Sequence, residues 1–170
     1  MKTKLFFMIT MLVLSASLLS SCENETEIEA IVGISSDANQ NTKTILAGQS
    51  EKIATITLSS SENIEVKNIV LFFSNNLLNS ISEITIISNN IQLNQGTIEK
   101  DGKVRFDDID LAINKTANLQ VQIQVNSNPK VMSEVYINKI VLEDITSVAT
   151  NQLLGNQEKS IKTSYFNINN

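Results

Sequence analysis

Histidine and tryptophan are absent from this chain of 170 residues, and cysteine and proline each occur once. Histidine is the usual general base near neutral pH and the commonest metal ligand. Its absence excludes a Ser-His-Asp triad, a Cys-His pair and an imidazole zinc site together. Only carboxylate or Ser/Lys chemistry is left, so an enzyme is not expected, and neither is a cofactor. The lone cysteine, Cys22, leaves no disulfide within the chain, and packing alone must hold the fold. Basic residues are also scarce, 13 Lys and Arg against 18 Asp and Glu for a net charge of −5. Nucleic acid and anionic lipid surfaces need clustered Lys/Arg, so neither is an expected partner.

Two of the few lysines, Lys2 and Lys4, open the chain ahead of an apolar run over residues 5–14. Leu19-Ser20-Ser21-Cys22 then supplies the small residues that a signal peptidase requires. A plain transmembrane anchor is disfavoured. The run falls short of the roughly 20 residues a span needs, and Ser15, Ser17, Ser20 and Ser21 interrupt the stretch beyond it. The order Leu-Ser-Ser-Cys resembles the bacterial lipobox. That resemblance implies cleavage before Cys22, a diacylglyceryl group on its sulfur, and fatty chains such as palmitate at the new N-terminus. At roughly 0.8 kcal/mol per buried methylene, two or three such chains anchor a protein essentially permanently. Glu23-Asn24-Glu25-Thr26-Glu27 reads as a solvated acidic tether. It also resembles the acidic export tag of Bacteroidota-type lipoproteins, which implies the outer membrane and its outer surface. The implied domain organisation is a signal peptide over 1–21, a lipidated tether over 22–28 and one domain over 29–170.

Within that domain the apolar pattern has period two. Leu119, Val121, Ile123 and Val125 alternate with Gln120, Gln122 and Gln124, which is a strand with one wet face. Ala54, Ile56 and Leu58 alternate with Thr55 and Thr57. Further strands are expected over residues 30–34, 64–73, 84–87, 103–106, 135–142 and 161–168, all rich in β-branched or aromatic residues. Asp101-Gly102 predicts a hairpin, Ser74-Asn75-Asn76 and Ser88-Asn89-Asn90 predict turns, and the single proline, Pro129, comes after the glutamine-faced strand. The expectation is an all-β fold, a single antiparallel sandwich, with about five residues (roughly 20 Å extended) between Cys22 and the first strand. The Gln/Asn faces read as solvated sheet or, more sharply, as a polar contact surface for sugars or another strand.

From Ala30 onward the order of features resembles a β-sandwich repeat of bacterial surface-layer and surface-display proteins. Ala47-Gly48 succeeds the first strand, and Gly102-Lys103-Val104-Arg105-Phe106, Leu111-Ala112-Ile113 and Leu119 to Val125 come after it in order. Asn114-Lys115-Thr116 stands where that pattern has proline or glycine. The resemblance implies an immunoglobulin-like fold with a spacer, display or protein-interaction role and no catalytic residues.

Two further constellations stand out. Asp107, Asp108 and Asp110, with Asp101 nearby, offer hard oxygen ligands for Ca²⁺. They lack the Asp-x-Asp-x-Asp-Gly spacing, and Asp108 and Asp110 read equally as solvent-facing neighbours of buried Ile109 and Leu111. Tyr136, flanked by Val135 and Ile137, and Tyr165, beside Phe166, are candidate ligand contacts, because a tyrosine ring offers flat apolar area with a polar tip. Phe72 and Phe106 fall in core phase. The function expected is a membrane-anchored lipoprotein with a noncatalytic structural or interaction module and an unnamed protein or glycan partner. The alternative is a glycan- or peptide-binding accessory of an uptake system.

Overall fold

A computed structural model describes residues 31–38 and 42–170. The signal segment, the acidic tether and Cys22 lie outside the described residues. Strands succeed one another as β1 (Gly33–Ser36), β2 (Lys43–Leu46), β3 (Ser50–Ser59), β4 (Ile64–Phe73), β5 (Ile81–Ser88), β6 (Ile91–Gln95) and β7 (Thr97–Ile98). They continue as β8 (Lys103–Phe106), β9 (Leu111–Ile113), β10 (Thr116–Val125), β11 (Met132–Val135), β12 (Ile137–Ser147), β13 (Leu153–Ser160) and β14 (Phe166–Asn169). Among the described residues there is no helix, and so none long and apolar enough to cross a membrane.

Two large sheets face each other. The first has the order β1-β3-β10-β5-β6 and the second β13-β12-β4-β8-β7, with β9 also on β4. Lettered by chain order, β1-β3-β10-β5 is A-B-E-D and β13-β12-β4 is G-F-C, the immunoglobulin-like arrangement. One hydrophobic cluster joins them. Ile56, Leu58, Val121 and Ile123 enter from the first sheet and Ile69, Leu71, Ile140 and Leu142 from the second, each at most 1% exposed. Period-two alternation makes this possible. In β10 every second side chain from Ala117 to Val125 is buried, and each such burial contributes about 1.5–3 kcal/mol for a Val, Leu or Ile.

A third sheet, β11-β14-β2, closes one end of the sandwich. Its β14–β2 pairing is parallel, whereas every other pairing among the described residues is antiparallel. It buries Ile45, Val135, Phe166 and Ile168.

Turn chemistry is placed as the residues require. Asn89 and Asn90 take φ of 51° and 64° between β5 and β6, where asparagine tolerates left-handed backbone. Gly102 (φ 79°) turns the β7–β8 hairpin, and a Cβ there would lie 2.7 Å from the Asn75 carbonyl oxygen. Two strand expectations shift. The strand read over 30–34 is observed as Gly33–Ser36, and that read over 161–168 is a strand only at Phe166–Asn169. Residues 161–163 stay bonded to the start of β12, through Ile161 N–H to the Asn138 carbonyl (3.0 Å), before the chain crosses to the third sheet. Ahead of them β13, with only exposed or half-buried positions, has no apolar alternation to betray it and exists because β12 offers it a ladder.

A polar seam crosses the second sheet. In β4 the inward residues are Ile64 and Val66, then Ile69, Leu71 and Phe73; in β12 they are Ile140 and Leu142, then Ile145 and Ser147. Both strands therefore change phase at the same level, where Glu143 pairs with Asn68. Asp144 sits at φ 56° where β12 bulges against its other neighbour, β13. Its N–H donates to Asn156 Oδ1 (2.9 Å), and its Oδ2 accepts from Asn68 Nδ2 (2.8 Å). Asn68 Oδ1 in turn accepts from the Asp108 N–H (3.1 Å). Glu143-Asp144, just past the strand expected over 135–142, thus lies inside β12. The phase change also corrects Phe72. Its ring is half-buried on the outer face under Lys139 Nζ (4.3 Å), while Phe73 takes the core position at 4% exposure.

Phe73→Ala is expected to cost about 3–5 kcal/mol in denaturant unfolding and Phe72→Ala under about 1.5. Equal costs would refute the phase change. Asn68→Ala, which removes two solvent-exposed seam hydrogen bonds, is expected to cost about 0.5–1.5 kcal/mol.

Candidate functional site

The sequence-predicted residues fall at opposite places in the sandwich. The described chain enters at the end formed by the close of β3 and the start of β4. There Ser60 Oγ donates to the Ile31 carbonyl (3.4 Å), and Val32 N–H donates to Gln157 Oε1 (2.7 Å). Ile31, Gly33, Ser59–Glu62 and Leu154 line an open recess of about 550 Å³ at this end. Cys22 precedes it by chain order alone.

Tyr136 and Tyr165 lie at the far end. Tyr136 links β11 to β12, and its backbone is clamped to Ser74. The Ser74 N–H donates to the Tyr136 carbonyl (2.9 Å), and the Tyr136 N–H donates to Ser74 Oγ (3.2 Å). Tyr165 precedes β14, and its carbonyl accepts from the Lys43 N–H (3.1 Å). Val135, Ile137 and Phe166 are buried beside them, so each tyrosine is the outward partner of an inward neighbour. The two half-buried rings meet edge to face with centroids 5.1 Å apart and planes at 81°.

Lys162 completes the group, its Nζ 5.0 Å from the Tyr165 centroid and 5.7 Å from that of Tyr136. Its hydrogen bond to Tyr165 and the charge of that phenol raise the ammonium above the usual lysine value. The result is an exposed cation on an aromatic pair, able to meet a carboxylate or an acceptor-rich surface. The sequence marks both tyrosines singly. It does not show that they touch, and nothing local marks Lys162, because the third sheet brings these residues together.

Asp107 and Asp108 are tied to the seam. Asp107 Oδ1 accepts from Arg105 Nε (2.6 Å), and the same guanidinium donates to Glu143 Oε2 (2.6 Å). Glu143 foremost, then Asp107, holds the Arg105 guanidinium above its ordinary value. Asp108 and Asp110 adopt φ of 51° and 43° on either side of buried Ile109, the turn that lets β8 and β9 both lie along β4. Asp101 sits apart, in the β7–β8 turn. Among the described residues no three carboxylate, cysteine or histidine side chains converge to hold a metal ion.

No family model and no curated protein matches this chain. Solved structures do. The chain is similar to a family 123 glycoside hydrolase from Clostridium perfringens (14% identity, TM-score 0.38), covering 82% of this chain and 27% of the hydrolase. It is similar to a cohesin module of a Clostridium perfringens family 33 glycoside hydrolase (14% identity, TM-score 0.36, 81% and 98% covered). It is also similar to self-complemented MyfA, the major subunit of Myf fimbriae from Yersinia enterocolitica (8% identity, TM-score 0.37, 82% and 98% covered).

The chain has no tryptophan and these are its only two tyrosines, so its tyrosine fluorescence and near-ultraviolet dichroism report this site alone. Lys162→Met is expected to change both signals without altering the far-ultraviolet spectrum. Lys159→Met, on the exposed edge strand, is expected to leave them unchanged. Identical spectra for the two variants would refute the contact.

Proposed function

We propose that this protein is a lipid-anchored lipoprotein of the outer membrane, facing the cell exterior, whose sandwich is a noncatalytic interaction module. The observation that carries the reading is the polarity of the domain. The chain enters at the Ser60 end, and β3 and β4, each 10 residues long, run to the opposite end, where Tyr136, Tyr165 and Lys162 stand. At about 3.3 Å per residue such strands separate the two ends by roughly 30 Å. An anchor at Cys22 would then set the recess toward the bilayer and present the aromatic and cationic group outward. The first strand starts at Gly33, so the stretch from Cys22 reaches at most about 40 Å, longer than a start at residue 30 would allow. The domain stands near the membrane with its far end free to contact a protein partner.

Cys22→Ala is expected to move the protein from the membrane to the soluble fraction, and retention would overturn the anchor. Protease added to intact cells is expected to degrade the wild-type protein; survival would place it on the periplasmic face. A double substitution, Tyr165→Ala with Lys162→Ala, is expected to weaken capture of a crosslinked cell-surface partner while leaving membrane retention intact.

A further inference from the structure

The outer face of the first sheet carries a second, chemically different surface. Register builds it row by row. Gln124 lies between Ser50 of β3 and Glu83 of β5. Gln122 lies between Lys52 and Thr85, and Thr85 opposes Gln95 of β6. Gln120 lies between Thr55 and Ile87, and Ile87 opposes Gln92. With strands about 4.8 Å apart, the grid is roughly 14 Å across.

A recess of about 100 Å³ opens in this grid, lined by Ser50, Glu83, Thr85, Gln92, Gln122 and Gln124 among others. Thr85 is its floor. The residue is only 7% exposed, and its hydroxyl has no hydrogen-bond partner among the described residues. Unlike the enclosed, unpartnered Ser88 Oγ, this hydroxyl opens to the recess and is accessible to a group that enters it. Two glutamines are held in place. Gln122 Nε2 donates to Ser50 Oγ (2.7 Å), and Gln124 Nε2 donates to the Gly48 carbonyl (2.8 Å). These bonds orient both amides and leave both Oε1 atoms and the Glu83 carboxylate as acceptors, with the second N–H of Gln122 and the Gln92 amide as donors.

We infer that this recess binds a neutral polyhydroxylated chain, that is, a glycan. Each sugar hydroxyl both donates and accepts, which suits a surface that mixes oriented acceptors with hydroxyl and amide donors. A single acidic side chain in the recess, with Lys52 one row away, gives no net charge to select an ionic ligand. A peptide strand is the poorer fit, because the backbone of β10 and β5 is already paired on both sides and offers it no ladder. The recess takes the edge of one sugar ring, and no aromatic ring lines it. Affinity per site is therefore weak, about millimolar, and a polymer is held through repeated contacts. This narrows the accessory-binding alternative drawn from the sequence to one ligand class, and it stands whether or not Cys22 is acylated.

The test is affinity electrophoresis of the full-length protein in a polyoxyethylene detergent, which carries no sugar. Native gels hold dextran, mannan, xylan or, as the anionic control, alginate. The wild type is expected to be retarded by at least one neutral polysaccharide and not preferentially by alginate. Gln92→Ala, on the exposed edge strand, and Gln122→Ala are each expected to weaken retardation about three- to tenfold, the scale of one lost hydrogen bond. Thr85→Val, which keeps the shape and removes the hydroxyl, is expected to do the same, and Tyr165→Ala to have no effect. Thermal unfolding confirms that each variant is folded, and Gln92→Ala leaves the core untouched. Free migration in all three neutral gels, retardation only by alginate, or retardation unchanged in Gln92→Ala and Gln122→Ala would each overturn the inference.

Discussion

A sandwich core needs one row of side chains from every strand aimed at the facing sheet, and a slip of one residue sends that row into water. In this protein β4 and β12 both change phase halfway along, and the core survives because they do so together, at Asn68 and Glu143. Two outward residues in succession leave backbone groups off the ladder. Asn68, Asp144 and Asn156 satisfy them with a chain of side-chain hydrogen bonds across the sheet. Carboxamides and carboxylates suit this place because they tolerate positive φ and bond to nearby backbone.

That constraint sets the roles of the charged residues around it. Arg105 bridges Asp107 and Glu143 over the outer side of the bend, and Asp108 and Asp110 turn the chain between two short strands that share β4 as partner. In three dimensions the acidic run supplies a turn and an ion pair to a kinked sheet. The ends of the sandwich are left to differ. One receives the chain, and the other is closed by a small sheet whose parallel pairing draws residues near 43, 135 and 166 together.

The surfaces differ in kind accordingly. The closed end bears a lysine over two tyrosines, suited to an acidic or acceptor-rich contact. The first sheet's outer face bears amides and hydroxyls in a grid, suited to neutral polar groups. The grid is a direct consequence of the alternation of glutamine with Leu, Val and Ile in β10, since a residue type placed inward on one phase leaves the other type outward.

Strands with steady alternation were therefore readable from residue order alone. Leu119 to Val125, Ile56 with Leu58, and the Asp101-Gly102 and Asn89-Asn90 turns arise from local stereochemistry, which needs no partner to act. The Leu-Ser-Ser-Cys order ending at Cys22 is likewise a property of the string. Residue order could not place Phe72 outward, recognise β13, gather Tyr136, Tyr165 and Lys162, or turn three aspartates into a bend. Each of those depends on a neighbour distant in sequence: a phase change shared by two strands, a ladder offered by β12, or a parallel pairing between the two ends of the domain. Alternation is written in covalent order, whereas phase changes and side-chain meetings exist only once hydrogen-bond registers between separate strands have been chosen.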